Sequence, residues 1–204
     1  MVSALADYVD IWSVHGRCID TDVLKPAIEK GAHAWFYNGF EPRIGPTVIA
    51  GEGLGPRTWH WVVWNSDMQG SSTWHFFFKA GKENNAWENG GVTKGNSHAG
   101  ANLFVYPGDR IGCLDKAFAS MRLKAFRRGI QDYEYFYLLA KKDGKKDRAK
   151  AFSSQVVSGS MAGSPNTTGF KDDASNEKIA VKQKAGDLRR WSHKPEDFEK
   201  VRCE

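Results

Sequence analysis

The chain has little cysteine. Cys18, Cys113 and Cys203 are odd in number, far apart in the 204 residues and without CxxC spacing, which excludes a disulfide framework and a cysteine-based zinc site. No run of eighteen apolar residues occurs, so the sequence holds no transmembrane helix, and no membrane partner is expected. The opening MVSALADYVD contains acids and no basic n-region, unlike a secretory signal, which leaves the compartment open. There is no P-loop, no GxSxG elbow and no HExxH, and the histidines at 15, 33, 60, 75, 98 and 193 never fall at ligand spacing. Gly51, Gly53 and Gly55 form GEGLGP, but Pro56 stands where a dinucleotide fingerprint needs its last glycine, and no strand leads into it. Neither a metal nor a cofactor is expected.

Aromatic residues are plentiful. The 8 Trp, 6 Tyr and 12 Phe offset an apolar fraction of only 41%, because each ring buries a large area, and the length suits one domain with a real core. Charge is uneven. Residues 1–110 carry 9 Lys and Arg against 11 Asp and Glu, whereas residues 111–204 carry 20 against 13. These C-terminal lysines alternate with acids in a Gly/Ser-rich context and lack aromatic interleaving, which reads as a solvated face and not as a nucleic-acid surface.

Alternating apolar and polar residues predict a strand over Tyr8–Val14, and DVLKPAIEK predicts a helix from about Asp22, which accommodates Pro26 only in its first turn. A second strand is expected at His33–Tyr37 and a helix over Arg57–Met68 ending at Gly70. A third strand is expected at Thr73–Phe78. Strand, helix, strand, helix, strand implies an α/β fold with parallel strands and crossover helices. Residues 82–100 read as a long loop, followed by a short fourth strand at Ala101–Tyr106 and a turn at Pro107-Gly108-Asp109. A helix capped by Ser120 runs to Lys141, with Met121, Phe126, Ile130, Tyr133 and Tyr137 at helical spacing. Residues 142–204 read as a polar, basic, partly disordered tail with a mobile linker over 153–178, which carries a glycosylation sequon at Asn166. A short final helix within 186–202 packs Leu188, Trp191, Phe198 and Val201 back onto the body.

Two residue sets carry possible chemistry. Glu41, Glu83, Glu88 and Asp109 follow the expected strands, where an α/β barrel keeps its active site; solvated loop acids are the plainer account. Trp35 and Tyr37 share one strand face and Trp74 lies in the next strand, with Asn38, Arg43 and Asn85 nearby in sequence. Such rings serve either as packed core or as stacking platforms for sugar rings, and the residues themselves do not choose.

The segment LFVYPGDRIGCLDKAFASMRLKAFRRGIQDYEYFYLL, Leu103–Leu139, resembles the C-terminal region of the family called domain of unknown function 4091, itself similar to glycoside hydrolase family 123. The pattern is carried by Tyr106, Pro107, Gly108, Ser120, Arg122, Leu123, Arg127, Gly129, Ile130, Asp132, Tyr133, Glu134 and Tyr135. VDIW at Val9–Trp12, WFYNG at Trp35–Gly39, Arg57, Gly70–Trp74 and Trp87 extend the resemblance over residues 8–141.

The resemblance implies that residues 1–141 form the C-terminal portion of a (β/α)8 barrel. It also implies a protein similar to β-N-acetylgalactosaminidases, in which the sugar's own acetamido oxygen attacks the anomeric carbon and an adjacent Asp-Glu pair assists. No Asp is followed by Glu anywhere in the chain. The expectation is therefore a carbohydrate-active fragment without hydrolysis of its own, gripping a terminal N-acetylhexosamine through Trp35, Tyr37, Asn38, Trp74 and Trp87. A non-catalytic carbohydrate-binding module and a basic-tailed interaction protein are the alternatives. Arg122, Arg127, Asp132 and Glu134 are expected to lock the last helix onto the barrel with Tyr106, Pro107 and Gly108. A partial barrel would leave sheet edges open to self-association or to a missing N-terminal barrel segment.

Overall fold

The computed structural model describes residues 2–16, 20–39, 44–77, 85–91, 99–144, 146–157 and 191–203. A short α1 (Val2–Leu5) leads into a parallel sheet of β1 (Ile11–His15), β2 (His33–Tyr37) and β3 (Gly70–Ser72), in that spatial order. The register sets His15 beside Tyr37 and Tyr37 beside Ser72, so all three strands end level at their carboxyl side. Parallel neighbours need crossovers, supplied by α2 (Thr21–Ile28) and α3 (Thr58–Asn65). The expected α/β fold with parallel strands is present.

Local chemistry explains where elements start and stop. Asp20 caps α2 by accepting from the Asp22 amide at 2.9 Å. Pro26 stands at the sixth position of this helix, past the first turn where it was expected. The third strand begins at Gly70 and leaves Thr73–Phe77 beyond its carboxyl end, in place of the strand expected at Thr73–Phe78. Glycine is needed there because a Cβ on Gly70 would lie 2.8 Å from the Trp35 ring.

The fourth strand also differs from expectation. β4 (Val105–Pro107) pairs antiparallel with β5 (Ala117–Ala119) as a hairpin apart from the parallel sheet. The turn after Pro107 closes it: a Cβ on Gly108 would fall 2.1 Å from the Cys113 carbonyl, and the Gly108 amide donates to Lys116 at 2.8 Å. The expected loop at 82–100 contains α4 (Ala86–Asn89), and residues 92–98 of it lie outside the described residues.

α5 (Met121–Asp143) is capped by Ser120, whose Oγ accepts from the Leu123 amide at 3.1 Å, and stops at Gly144 with φ of 62°. Its inward stripe passes through Phe126, Gly129, Asp132, Tyr133 and Phe136, while Met121 and Tyr137 face outward. Of the residues at helical spacing, Met121, Ile130 and Tyr137 are exposed, and the inward stripe holds the polar Asp132, which hydropathy hides. Two segments of the region beyond residue 142 fold back: α6 (Lys146–Val156) and α7 (Pro195–Cys203). α6 begins before the linker expected at 153–178, and Asp67, at the end of α3, binds Lys146 and Lys150 of α6. Burial would raise the Asp67 pKa, but those two lysines outweigh it and hold it below the usual carboxylate range. Trp191, Phe198 and Val201 are buried as expected; Leu188 and Asn166 lie outside the described residues.

The core is built around α3. Every residue of Thr58–Trp64 except the half-buried His60 is buried, so this helix is enclosed on nearly all sides and lies between the sheet and the C-terminal helices. Trp59 packs on Phe36 and Phe126, and Trp61 on Phe136 and Phe198, at centroid distances of 4.8–5.4 Å. Burying such a side chain contributes roughly 1.5–3 kcal/mol. The indole donors still need partners: Trp59 Nε1 donates to the Gly45 carbonyl at 2.7 Å and Trp61 Nε1 to Asp132 Oδ2 at 2.8 Å.

Asp132 belongs to a buried ionic lock. Arg57 Nε and Nη2 donate to its two carboxylate oxygens at 2.6 and 3.1 Å, and Arg57 Nη1 donates to Glu199 Oε1 at 2.8 Å. Arg128 donates to the other Glu199 oxygen at 2.8 Å, and the Arg57 guanidinium lies 4.9 Å over the Phe198 ring. Burial would disfavour the Arg57 cation, but Asp132 and then Glu199 outweigh it and hold its pKa above the ordinary value. Gly129 lets the two backbones approach, since a Cβ there would sit 2.3 Å from the Arg57 carbonyl.

In an exposed helix, alanine outperforms glycine by about 1 kcal/mol. At Gly129 the sign reverses: Gly129→Ala lowers stability by about 1–3 kcal/mol through overpacking, read as a lower denaturation midpoint in urea. Besides the Asp67 carboxylate, two groups make stability sensitive to acid. Burial lowers the His60 pKa from the ordinary 6.5 to about 4, so the unfolded chain takes up a proton that the folded chain refuses and stability falls as pH drops from 6.5 to 4. Glu199 is raised by burial but lowered more by Arg57 and Arg128, so its share is present above the ordinary glutamate range and is lost as pH falls through its depressed pKa. Thermal melts from pH 7 to 3 on the wild type, His60→Phe and Glu199→Gln separate these: the first variant flattens the upper part of the decline, the second the lower part.

Candidate functional site

Strand alternation gives the parallel sheet two unlike faces. Ala34 and Phe36 point into the helical core, whereas His33, Trp35 and Tyr37 point to the opposite face together with Ile11, Ser13 and His15. Among the described residues no helix covers that second face as α3 covers the first, and Ile11 is 49% exposed. Its rings are arranged by depth. Trp35 lies against Gly70 as a half-buried floor, its Nε1 enclosed without a hydrogen-bond partner.

Tyr37 sits one step further along, at the strand end. It meets His15 edge-on at 5.0 Å and Trp74 at 6.3 Å, and Trp74 in turn meets His75 at 5.5 Å. Trp74 is 65% exposed, a large ring held out to solvent. Asn38 fixes it there: with φ of 59° it turns β2 sharply outward, and its Oδ1 accepts from the Trp74 amide at 3.0 Å. Asparagine tolerates this left-handed conformation better than most residues.

Trp87 belongs to a second ring pair. Asn85 caps α4 by accepting from the Trp87 amide at 2.8 Å, and Trp87 Nε1 donates to the Pro107 carbonyl at 2.9 Å. The Trp87 ring packs on Tyr106 at 4.7 Å. Arg122 holds the other side of Tyr106, donating to its hydroxyl at 2.8 Å and to the Leu103 carbonyl at 2.9 Å. Glu88 and Arg110 form an exposed ion pair at 2.7 Å beside it.

The predicted residues are thus partly brought together. Trp35, Tyr37, Asn38 and Trp74 share the carboxyl end and outer face of the sheet, and Trp87 joins Tyr106, Pro107 and Arg122 at the hairpin. Asp132 joins the buried lock and Gly108 the turn, while Arg127 and Glu134 are exposed on α5. Glu41, Arg43 and Glu83 lie outside the described residues, and Asp109 is exposed on the hairpin. Sequence reasoning missed His15 and His75 in the ring cluster, the expected first strand having stopped at Val14, one residue short of His15, which the register sets beside Tyr37. It also missed Arg128 and Glu199, whose pairing spans 71 residues.

Chemically, this rim offers exposed aromatic faces with fixed tilt and adjacent polar groups, an arrangement suited to the apolar faces of a ring-shaped polar ligand. No group of three His, Cys, Asp or Glu among the described residues could hold a metal ion. A separate apolar cavity of about 240 Å³ lies among α3, α5, α6 and α7, lined by Trp61, Phe136, Leu139, Phe152 and Val201, and none of the rim rings borders it.

No curated protein matches the chain. Among solved structures it is similar to a family 123 glycoside hydrolase from Clostridium perfringens, described in work on glycolipid glycan hydrolysis, with a TM-score of 0.59 and 14% identity. The likeness covers 97% of this chain and 32% of that one, so the chain spans about a third of its neighbour's length and shares its fold over that stretch. Residues 3–139 match the profile described as Glycoside hydrolase 123, catalytic domain, and the chain belongs to that family.

Proposed function

We propose that this chain supplies the sugar-gripping side of a glycoside hydrolase barrel, with β1 to β3 as closing strands, and binds a terminal N-acetylhexosamine at the strand-end rim. The observation that carries this reading is Trp74, exposed yet fixed from two sides by Asn38 and by the Tyr37 ring. An isolated exposed indole gains nothing from such anchoring; a platform for a pyranose face does.

Hydrolysis by this chain alone is not part of the proposal. Acetamido-assisted cleavage needs one group to orient the amide and another to protonate the leaving oxygen. Asp132, buried and closed onto Arg57 and Trp61, is not available for that work, and Glu88 stands in an exposed ion pair with Arg110 away from Trp74. A barrel also requires further strands, to which the uncovered sheet face and its edges offer a seat. In such a protein Asn38 acts through Trp74, because its Oδ1 is spent on the Trp74 amide.

Titration of the purified chain with N-acetylgalactosamine, followed by tryptophan fluorescence, is expected to saturate, and Trp74→Ala to weaken binding at least about tenfold, or 1.4 kcal/mol. Release of the chromophore from an aryl N-acetyl-β-galactosaminide would contradict the absence of turnover. Asn38→Ala removes the acceptor and is expected to sharpen the Trp74 resonance in 19F spectra of fluorotryptophan-labelled protein, with Asn38→Asp restoring the wild-type line. Unchanged line widths in Asn38→Ala would show that Trp74 is held by other means.

A further inference from the structure

Among α3, α5, α6 and α7 the helices leave about 240 Å³ unfilled. Protein interiors close-pack and leave few voids larger than a water molecule, and the same helices meet closely elsewhere, with the Trp61 ring 4.8 Å from Phe136 and 4.9 Å from Phe198. The walls of the cavity are apolar: Trp61, Phe136 and Val201 are buried, and Leu139 and Phe152 are partly buried beside them. Asp132 also borders it, but its carboxylate already accepts from Arg57 and from Trp61 Nε1. A buried water needs several polar partners. With Asp132 spent on the lock, the inner walls give water little to bond to, and an apolar group is favoured there.

The outer lining has a different character. Tyr135, Leu138 and Lys142 follow one another at steps of three and four along α5, which puts them on one helix face. Leu138 and Tyr135 are exposed, and Lys142 brings a cation that no carboxylate among the described residues holds. On α6 the Arg148 guanidinium lies 5.4 Å over the ring of Phe152, itself a lining residue. Glu134 borders a separate hollow with Gln131. Two cations therefore flank a cavity whose bordering acid is already neutralised, a setting that favours an anionic head on an apolar ligand.

We propose that this cavity binds a free single-chain amphiphile with a carboxylate head, its alkyl chain lying among Trp61, Phe136, Leu139, Phe152 and Val201 and its carboxylate at Lys142. An apolar cavity of about 150 Å³ takes benzene, so the larger space here suits a chain of roughly eight carbons and is too small for a two-chain lipid. Because Phe152 stands on α6 and Val201 on α7, the bound chain also ties these helices to α5, and it stabilises the folded protein by mass action. None of the rim rings borders the cavity, so the site does not depend on a saccharide there.

Calorimetric titration of the whole chain with sodium octanoate, sodium butanoate and octan-1-ol tests the proposal. Octanoate is expected to saturate and to bind at least tenfold tighter than butanoate, since each buried methylene contributes about fourfold, and tighter than octan-1-ol, which lacks the charge. Lys142→Gln is expected to bring octanoate down to the affinity of octan-1-ol, with Lys142→Arg restoring most of the difference. Leu139→Trp fills the cavity and is expected to abolish octanoate binding while the circular dichroism stays that of the wild type. Should that variant not fold, the wild type decides: nuclear Overhauser contacts are expected from the octanoate terminal methyl to Phe152 and Val201. Absence of octanoate binding, binding that survives in folded Leu139→Trp, or methyl contacts confined to other residues overturn the site. Equal affinities for octanoate and octan-1-ol overturn the carboxylate head.

Discussion

The bidentate pair between Arg57 and Asp132 holds three otherwise separate pieces of chain in one arrangement. Arg57 sits at the start of α3, Asp132 in the middle of α5, and Glu199, the third member, on α7. Removing one partner from such a buried pair costs about 3–5 kcal/mol, because the other is left as an uncompensated charge. A hydrophobic contact tolerates sliding; a fork of two hydrogen bonds does not. Gly129 makes this geometry reachable by letting α5 ride against the backbone of residue 57. The lock thereby fixes the crossing of α3 and α5, and α3 carries Trp59 against Phe36 on the inner face of the sheet.

From that point the placement of the rings follows by alternation. Phe36 faces inward and is fully buried, so Trp35 and Tyr37 must face the other way, and the level ends of β1 and β2 bring His15 beside Tyr37. The chain then places Trp74 past the end of β3, where Asn38 catches it. Packing thus falls on one side of the sheet and the exposed rings on the other. Rings of the same chemical kind play both parts, and only the parity of their strand position distinguishes Phe36 from Tyr37.

This parity explains what was legible in the sequence. The strand His33–Tyr37 and the Ser120 cap stand where spacing and cap chemistry put them, because both signals are local. The third strand was displaced because aromatic density suggested β structure at residues 73–78, while the strand itself is Gly70–Ser72, small residues made necessary by the Trp35 ring above them. Asp132 could be named as a structural residue from its motif, yet nothing local pairs it with Arg57, 75 residues away. α6 was hidden for a related reason: its Lys, Asp and Ser composition reads as solvated tail, and its contacts with Asp67 and Asn65 are polar bonds across more than 80 residues. The hairpin of β4 and β5 was hidden because a single short run carries no mark of which partner it will pair with.

The central claim is that the outer, strand-end face of this sheet grips saccharide while the helical side holds it in place. A crystal structure of the chain soaked with N-acetylgalactosamine tests it most directly. The account predicts a pyranose lying face-on against the Trp74 indole beside Tyr37; sugar density in the apolar cavity between α5, α6 and α7 in place of the rim, or none anywhere at saturating concentration, would contradict it.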